Sequence, residues 1–124
     1  MTPGHTVLVI DDDPDIVAAV TAALQMEGLE VESADDRHSA LALLESSVPR
    51  VILLDYFIPG AEVHELARHA LAKHPDAHVV LMTADNYPRE KAHELGVRHF
   101  LAKPFELDDM LAMVRELAAA PSEF

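Results

Sequence analysis

Residues Val51-Ile52-Leu53-Leu54-Asp55 decide the fold of this chain, because four apolar residues run without interruption into a single carboxylate. An unbroken apolar run of this length is typical of a strand that is buried on both faces, as strands are in a parallel sheet. Such sheets carry their ligands and reacting groups at the carboxyl ends of the strands. The pattern raises the question whether Asp55 is an ordinary polar residue at a strand end or a nucleophile.

The composition favours one compact domain and argues against several classes of function. The chain has 124 residues, 50% of them hydrophobic, and its lack of cysteine excludes disulfides and thiolate metal sites. The net charge of −13 argues against direct binding to nucleic acid or to an anionic membrane. No apolar run approaches the ~20 residues of a membrane span, and the first residues lack the pattern of a signal peptide. We expect a cytoplasmic protein in which 1–124 form a single domain, with a core at about 5–120 and a tail or the start of a linker at 121–124.

Apolar strands and amphipathic helices alternate along the chain, and turn signals with Gly or Pro separate them. Each predicted helix opens with Asp, Glu or Pro, residue types that suit the first turn of a helix. The predicted strands are 6–10, 29–33, 51–55, 78–82 and 97–101, and the predicted helices run from Pro14 to before Gly28, from Asp35 and Asp36 to before Pro49, and over 62–73, 88–95 and 106–119.

Five strand–helix units with short connections indicate a parallel sheet that is covered by helices on both faces. Five units are too few for a closed eight-stranded barrel, which needs ~250 residues. We therefore predict an α/β fold, a flavodoxin-like doubly wound (βα)5 sandwich with strand order 2-1-3-4-5. This order places the first and third strands side by side, with the switch point between them.

Polar side chains follow the strand ends that this order brings together. Asp11 and Asp12 follow the first strand, Asp55 ends the third, Thr83 follows the fourth and Lys103 follows the fifth. Carboxylates a few ångströms apart destabilise one another and need a positive charge between them. The Lys103 ammonium supplies one, and Mg²⁺ suits a site of one or two carboxylates, waters and a phosphoryl group. An aspartate nucleophile that faces a metal ion and a lysine is suited to forming an acyl phosphate.

Four short motifs give the chain a resemblance to a known family over essentially its whole length. Each motif alone is weak, but all four in order, each at a strand end, are a strong signal. By these motifs the chain resembles a response-regulator receiver domain of bacterial two-component signal transduction, in the CheY-like superfamily. The motifs are Val7-Leu8-Val9-Ile10-Asp11-Asp12-Asp13, Leu53-Leu54-Asp55 with Pro59 four residues later, Leu81-Met82-Thr83-Ala84, and Phe100-Leu101-Ala102-Lys103-Pro104-Phe105.

The resemblance implies a phosphorylated signalling switch and not an enzyme with a separate substrate. Asp55 would accept a phosphoryl group from a sensor histidine kinase or a histidine phosphotransfer protein, in a reaction that depends on Mg²⁺ (or Mn²⁺). Asp12, Asp55 and the main-chain carbonyl of Phe57 would bind the metal directly, and Asp11 would act through water. The domain would catalyse only its own phosphotransfer and dephosphorylation.

The same resemblance implies how the switch reaches a partner. Thr83 and Lys103 would hold the phosphoryl oxygens. Phe100 would be an aromatic switch residue that swings inward as Thr83 moves. This movement would rearrange the face made by the fourth helix, the fifth strand and the fifth helix, which would bind an unknown downstream protein.

The segment after Asp55 departs from the family pattern. Gly60-Ala61-Glu62-Val63 stands where the family usually carries Met-Asp-Gly, and the large apolar residue Phe57 lies beside the expected phosphorylation site. We hypothesise that Phe57 limits access of the attacking water and slows loss of the phosphoryl group. Arg98 and His99 stand where one large DNA-binding subfamily carries the acidic residues of its dimer salt bridges, so the sequence does not support that dimer.

Two other functions fit parts of the same pattern. A haloacid-dehalogenase-like phosphatase also uses an Asp nucleophile after a strand, together with Mg²⁺. It would use Asp11-x-Asp13 as its nucleophile motif and would need a further acid pair and a longer chain. The second alternative is a receiver-like scaffold that acts without phosphorylation.

A purely structural role for the same residues explains the pattern less well than a functional one. The run Asp11-Asp12-Asp13 suits a helix N-cap before Pro14, and Phe100 fits an apolar core as well as a switch. The spacing Asp11-x-Asp13-x-Asp15 imitates a calcium loop, but Ile16 stands where that loop requires glycine. The eight histidines are predicted to be surface or half-buried residues and not metal ligands.

Overall fold

The computed structural model describes residues 6–119, which form strands and helices in strict alternation. No helix within this range is long and apolar enough to cross a membrane. The predicted tail or linker at 121–124 lies outside the described residues. The elements are β1 Thr6–Ile10, α1 Pro14–Met26, β2 Glu30–Ala34, α2 Arg37–Ser46, β3 Val51–Asp55, α3 Val63–Lys73, β4 His78–Thr83, α4 Pro88–Leu95, β5 His99–Ala102 and α5 Leu107–Ala119.

The strands form one parallel sheet in the order β2-β1-β3-β4-β5, which confirms the predicted fold class and strand order. The register pairs Ile10 with Leu54 and Asp55 with Met82. The carboxyl ends of β1, β3, β4 and β5 therefore reach the same edge of the sheet. The chain reverses its winding direction between β1 and β3, where such sheets have their binding crevice.

The sheet separates two apolar cores. Alternate residues of the central strands point to opposite faces, so Ile52 packs towards α2, α3 and α4, while Leu53 packs towards α1 and α5. Every residue of β3 is buried. Burial on both faces is the physical reason why the run from Val51 to Leu54 contains no polar residue.

Local capping fixes how the chain leaves β1. The side chain of Asp13 accepts hydrogen bonds from the main-chain N–H groups of Asp15 and Ile16, at 2.9 Å and 3.4 Å, and Pro14 occupies the first turn of α1. This cap satisfies N–H groups that a helix otherwise leaves without partners. As a result, α1 begins directly after the carboxylates that end β1.

The predicted starts of β2 and β5 were wrong by one and two residues. Leu29 and Val97 belong to the caps of the preceding helices, because their N–H groups donate to the carbonyls of Leu24 and Ala92. Gly96 has a φ of 74°, and this left-handed conformation lets the chain close the cap. Both residues are apolar and precede strands, so the sequence pattern alone did not separate them from the strands.

One burial prediction was also wrong, and two apolar helix residues are exposed. Met26 is 87% exposed and Leu107 is 40% exposed, although the apolar periodicity of their helices includes both. Met26 lies two residues, about 200° of helical rotation, beyond the buried Leu24. His78 is only 4% exposed and was predicted to be a surface or half-buried residue. It opens β4, which is buried along its whole length, and its ring contacts that of His99 edge-on, with ring centroids 5.9 Å apart.

Substitution of Leu53 by alanine should lower the free energy of unfolding by about 2–5 kcal/mol, because a fully buried side chain is replaced by a cavity between β3 and the α1/α5 layer. Urea denaturation measures the change. Met26→Ala removes a side chain of similar size from an exposed position and should change the same quantity by less than about 0.5 kcal/mol. Equal losses in the two variants would contradict the assigned core.

Candidate functional site

Three strand ends meet at a buried pair of carboxylates with one ammonium between them. The Nζ atom of Lys103 lies 2.7 Å from Oδ1 of Asp55 and 2.8 Å from Oδ2 of Asp11. Asp11 is fully buried, and Asp55 is 5% exposed. Such charge-assisted hydrogen bonds are stronger than neutral ones. The structure therefore brings together three of the residues that the sequence predicted for the site.

Main-chain hydrogen bonds hold these side chains in place. The second oxygen of Asp11, Oδ1, accepts from the N–H of Asp13 at 2.9 Å. The N–H of Lys103 donates to the carbonyl of Thr83 at 2.8 Å, and the peptide bond between Lys103 and Pro104 is cis. The site is thus built on rigid strand ends, which limits how far its charged groups can move apart.

Asp12 completes a cluster of three carboxylates. Asp11, Asp12 and Asp55 each offer an oxygen, and these oxygens all lie within 4.8 Å of one another. Asp12 is exposed, so the cluster opens to solvent on one side. Oxygen ligands at this spacing, with room for water, fit the hard cations Mg²⁺ and Mn²⁺. The predicted metal role of the Phe57 carbonyl, in the loop after β3, stays a prediction.

The charges of the cluster do not balance. Burial raises the pKa of Asp55, and the charge of Asp11 raises it further, while the hydrogen bond from Lys103 works in the opposite direction. Burial works to lower the pKa of Lys103, but its hydrogen bonds to Asp11 and Asp55 outweigh burial and raise that pKa. One ammonium thus faces three carboxylates, and a divalent cation would neutralise the excess.

The neighbouring aspartates have separate positions. Asp13 is the N-cap of α1, whereas Asp11 binds Lys103 and Asp12 is exposed. The capping interpretation therefore accounts for only one of the three residues. Asp11 and Asp12 remain for the carboxylate cluster, and their metal-binding roles stay predictions.

Thr83 ends β4, directly beside the cluster. It is buried, and its hydroxyl oxygen accepts from the N–H of Asp85 at 3.1 Å. Phe100 lies on β5, pairs in register with Leu81 and packs half-buried against the core on the α2–α4 side. Its predicted role as a switch stays a prediction.

Sequence reasoning missed the turn that joins β4 to α4. Asp85 accepts a hydrogen bond from the N–H of Tyr87 at 2.8 Å, which forms an Asx turn. This turn links Thr83 to the first residue of α4, Pro88. The signal was present in the sequence, because Asp85-Asn86-Tyr87-Pro88 combines two turn-forming residues with a proline.

Residues 7–115 match the response regulator receiver domain family. The chain belongs to this family. It is therefore the receiver domain of a two-component response regulator, a signalling switch rather than a conventional enzyme, and its site is the family's acidic cluster. The family match confirms the resemblance found in the motifs.

Individual relatives agree with the family match. Response regulator MprA from Mycolicibacterium vanbaalenii is 32% identical over 113 residues, which are 90% of this chain and 49% of MprA. A CheY-like receiver domain protein from Methanospirillum hungatei has a TM-score of 0.83 at 26% identity, with 91% and 92% of the two chains covered. TrrA from Thermotoga maritima, solved in complex with Mg²⁺ and BeF, has a TM-score of 0.79 at 29% identity, with 90% and 97% covered.

The receiver chain spans about half the length of sequence relatives such as MprA and the phosphate regulon regulatory protein PhoB from Pseudomonas aeruginosa. Two of the structural relatives, by contrast, are covered almost completely. The similarity therefore concerns the receiver domain and not the remainder of the longer regulators.

Replacement of Asp55 by asparagine should stabilise the receiver domain at neutral pH. Because the pKa of Asp55 is raised in the folded state, the folded state binds this proton more tightly than the unfolded state, and ionisation of Asp55 lowers stability. The stability difference between Asp55→Asn and the parent should be smallest below the unfolded-state pKa of Asp55. It should grow as the pH rises through the folded-state pKa and then stay constant.

Urea denaturation at a series of pH values, in buffer with a chelator, measures this difference. Asp108→Asn, which removes an exposed carboxylate from the first turn of α5, controls for the change in net charge. A constant difference across the acidic range, or a destabilised Asp55→Asn at neutral pH, would contradict the assignment.

Proposed function

We propose that the domain accepts a phosphoryl group at Asp55 from a sensor histidine kinase or a histidine phosphotransfer protein. The observation that carries this proposal is the contact of the Lys103 ammonium with both Asp11 and Asp55 inside the carboxylate cluster. An ammonium in this place favours the ionised form of Asp55, against the effect of burial, which raises the pKa of Asp55. An ionised carboxylate is the form that attacks phosphorus.

The transfer forms a bond between an Asp55 oxygen and phosphorus while the bond between phosphorus and the donor nitrogen breaks. Lys103 orients Asp55 before the transfer and neutralises charge on the phosphoryl oxygens afterwards. The Thr83 hydroxyl donates to another phosphoryl oxygen. The reaction needs little proton transfer from the protein, so positioning and charge supply most of the catalysis.

A divalent cation completes the proposed site. Asp12, Asp55 and the main-chain carbonyl of Phe57 would hold it directly, with Asp11 acting through water. Bound Mg²⁺, or Mn²⁺ in its place, would supply positive charge to the transferring phosphoryl group. The three carboxylate oxygens within 4.8 Å of one another support this ligand set.

The proposed consequence of phosphorylation is a change at the face of α4, β5 and α5. Thr83 and Phe100 would relay the change, and a downstream protein would bind the altered face. We further propose that residues 1–124 act as a single receiver domain in the cytoplasm. The strongly acidic composition supports the proposal that this domain does not itself bind nucleic acid.

Acetyl phosphate with Mg²⁺ should phosphorylate the domain, and intact-protein mass spectrometry should show one added phosphoryl group. Asp55→Ala and added EDTA should each abolish the adduct, whereas Asp108→Ala, which removes an exposed carboxylate far along the chain, should retain it. An adduct that survives Asp55→Ala but not Asp11→Ala would favour the phosphatase alternative. An unmodified parent protein that also fails to bind beryllofluoride with Mg²⁺ would favour the scaffold.

Replacement of Phe57 by asparagine should speed loss of the phosphoryl group. Phe57 lies two residues beyond Asp55 in the loop after β3 and is 72% exposed. We propose that its ring limits the approach of water to Asp55. A smaller polar residue admits and orients that water. We expect the dephosphorylation rate to rise about three- to tenfold, equivalent to about 0.7–1.4 kcal/mol in the barrier.

The measurement follows decay of the phosphorylated mass after removal of acetyl phosphate. Tyr87→Asn changes an exposed aromatic residue of the neighbouring loop in the same way and serves as the matched control. A Phe57→Asn rate equal to that of the parent would refute the shielding role of Phe57.

A further inference from the structure

Few interactions within helix α4 stabilise it. It contains only eight residues, and its N-cap residue Tyr87 makes no side-chain capping hydrogen bond. Ala92 and Leu95 are its only buried residues. A helix of about two turns is marginal in isolation and depends on tertiary contacts. The side chains that tie α4 to the rest of the domain therefore decide where it lies.

Two cations on α4 lie over two different aromatic rings. The Nζ atom of Lys91 is 5.6 Å from the ring centroid of Tyr56, and the guanidinium carbon of Arg89 is 5.7 Å from that of Phe100. Both distances are within the ~6 Å at which a cation is attracted to the face of an aromatic ring. Both rings pack half-buried against the same core cluster. We call these two contacts the α4 clamp.

The rings of the clamp belong to the residue that follows β3 and to a residue of β5, the two strands that flank β4. Tyr56 directly follows Asp55, and its N–H donates to the carbonyl of Met82 at 2.9 Å. Phe100 lies three residues before Lys103 on β5. Through Tyr56, the clamp connects α4 to the residue next to Asp55. Through Phe100, it connects α4 to the strand that leads to Lys103.

The turn between β4 and α4 connects the same helix to Thr83. In the structure the Thr83 hydroxyl oxygen accepts a hydrogen bond from the N–H of Asp85. The side chain of Asp85 accepts a hydrogen bond from the N–H of Tyr87, and this bond fixes Tyr87 at the start of α4. A Thr83 hydroxyl that rotates towards a phosphoryl oxygen on Asp55 weakens this bond to Asp85. The turn is then free to shift, and the α4 clamp resists movement of the helix together with the buried residues Ala92 and Leu95.

We propose that Arg89 and Lys91 are positioning residues that hold α4 in its unphosphorylated place, so that release of the α4 clamp is part of the cost of the switch. This inference rests on the proposed phosphorylation of Asp55 and extends it. Because the clamp favours one of two states, its removal must favour the other by the same free energy. A protein without the clamp therefore binds a phosphoryl analogue more tightly.

The test uses the double variant Arg89→Met/Lys91→Met, which keeps chain length but removes both positive charges. Arg89→Lys/Lys91→Arg retains both cations and is the matched control. Glu94→Gln removes the 3.9 Å ion pair between Lys91 and Glu94 while leaving the clamp intact. Arg68→Met removes an exposed cation from α3. Circular dichroism confirms that each variant is folded.

Two readouts are needed. Hydrogen exchange of the α4 amides reports on the helix without any ligand, and calorimetry measures the affinity for beryllofluoride with Mg²⁺. The methionine double variant should exchange its α4 amides about tenfold faster and bind beryllofluoride about tenfold more tightly than the parent, the size expected for two cation–π contacts. The three control variants should resemble the parent in both measurements.

The outcomes separate the inference from the proposed function. A parent that binds beryllofluoride, together with a methionine double variant whose exchange or affinity is unchanged or weaker, overturns the α4 clamp and leaves phosphorylation of Asp55 standing. A parent that fails to bind beryllofluoride overturns the proposed function, and with it the role given to the clamp. Equal effects in Glu94→Gln would assign the change to the ion pair and would also overturn the clamp.

Discussion

The rest of the site depends on one interaction, the contact of the Lys103 ammonium with Asp11 and Asp55. These residues come from the ends of β5, β1 and β3, and only the parallel arrangement of the strands brings them together. Removing charged groups from water is costly unless they are paired. Lys103 provides that pairing for two carboxylates, yet Asp12 leaves the cluster with excess negative charge. The fold therefore maintains a site whose excess negative charge a divalent cation would neutralise.

The sequence predicted the parts of this structure that depend on burial along a whole strand. β3 is buried at every residue, so its pattern admits one interpretation, and the strand order follows from the number and length of its connections. The strand-end positions of Asp11, Asp55, Thr83 and Lys103 then follow from the topology. Element boundaries were less certain where one residue serves two elements. Val97 is apolar like a strand residue, but its N–H closes the cap of α4, and only the backbone geometry reveals this.

The sequence pattern could not predict contacts between side chains that are distant in the chain. Periodicity describes which face of an element is apolar, but it does not say which cation lies over which ring. Lys91 and Tyr56 are 35 positions apart in the chain, and their contact depends on how α4 is placed relative to β3. His78 was misjudged for a related reason, since a polar residue at the first position of a strand looks exposed until the neighbouring elements are in place. The errors therefore concern tertiary placement and not the type of element.

The contacts of α4 differ in kind from those of the other helices. Arg37 of α2 pairs with Glu65 of α3, Lys73 with Glu45, and Arg115 of α5 with Glu27. Each of these pairs joins two solvent-exposed side chains, and such pairs contribute little to stability. Arg89 and Lys91 instead lie over rings that are packed into the core, so they connect α4 to the rigid sheet. A helix connected in this way has a defined resting position, and the free energy needed to move it is limited to that of breaking the two contacts. An element that a phosphoryl group is to move between two positions needs both properties.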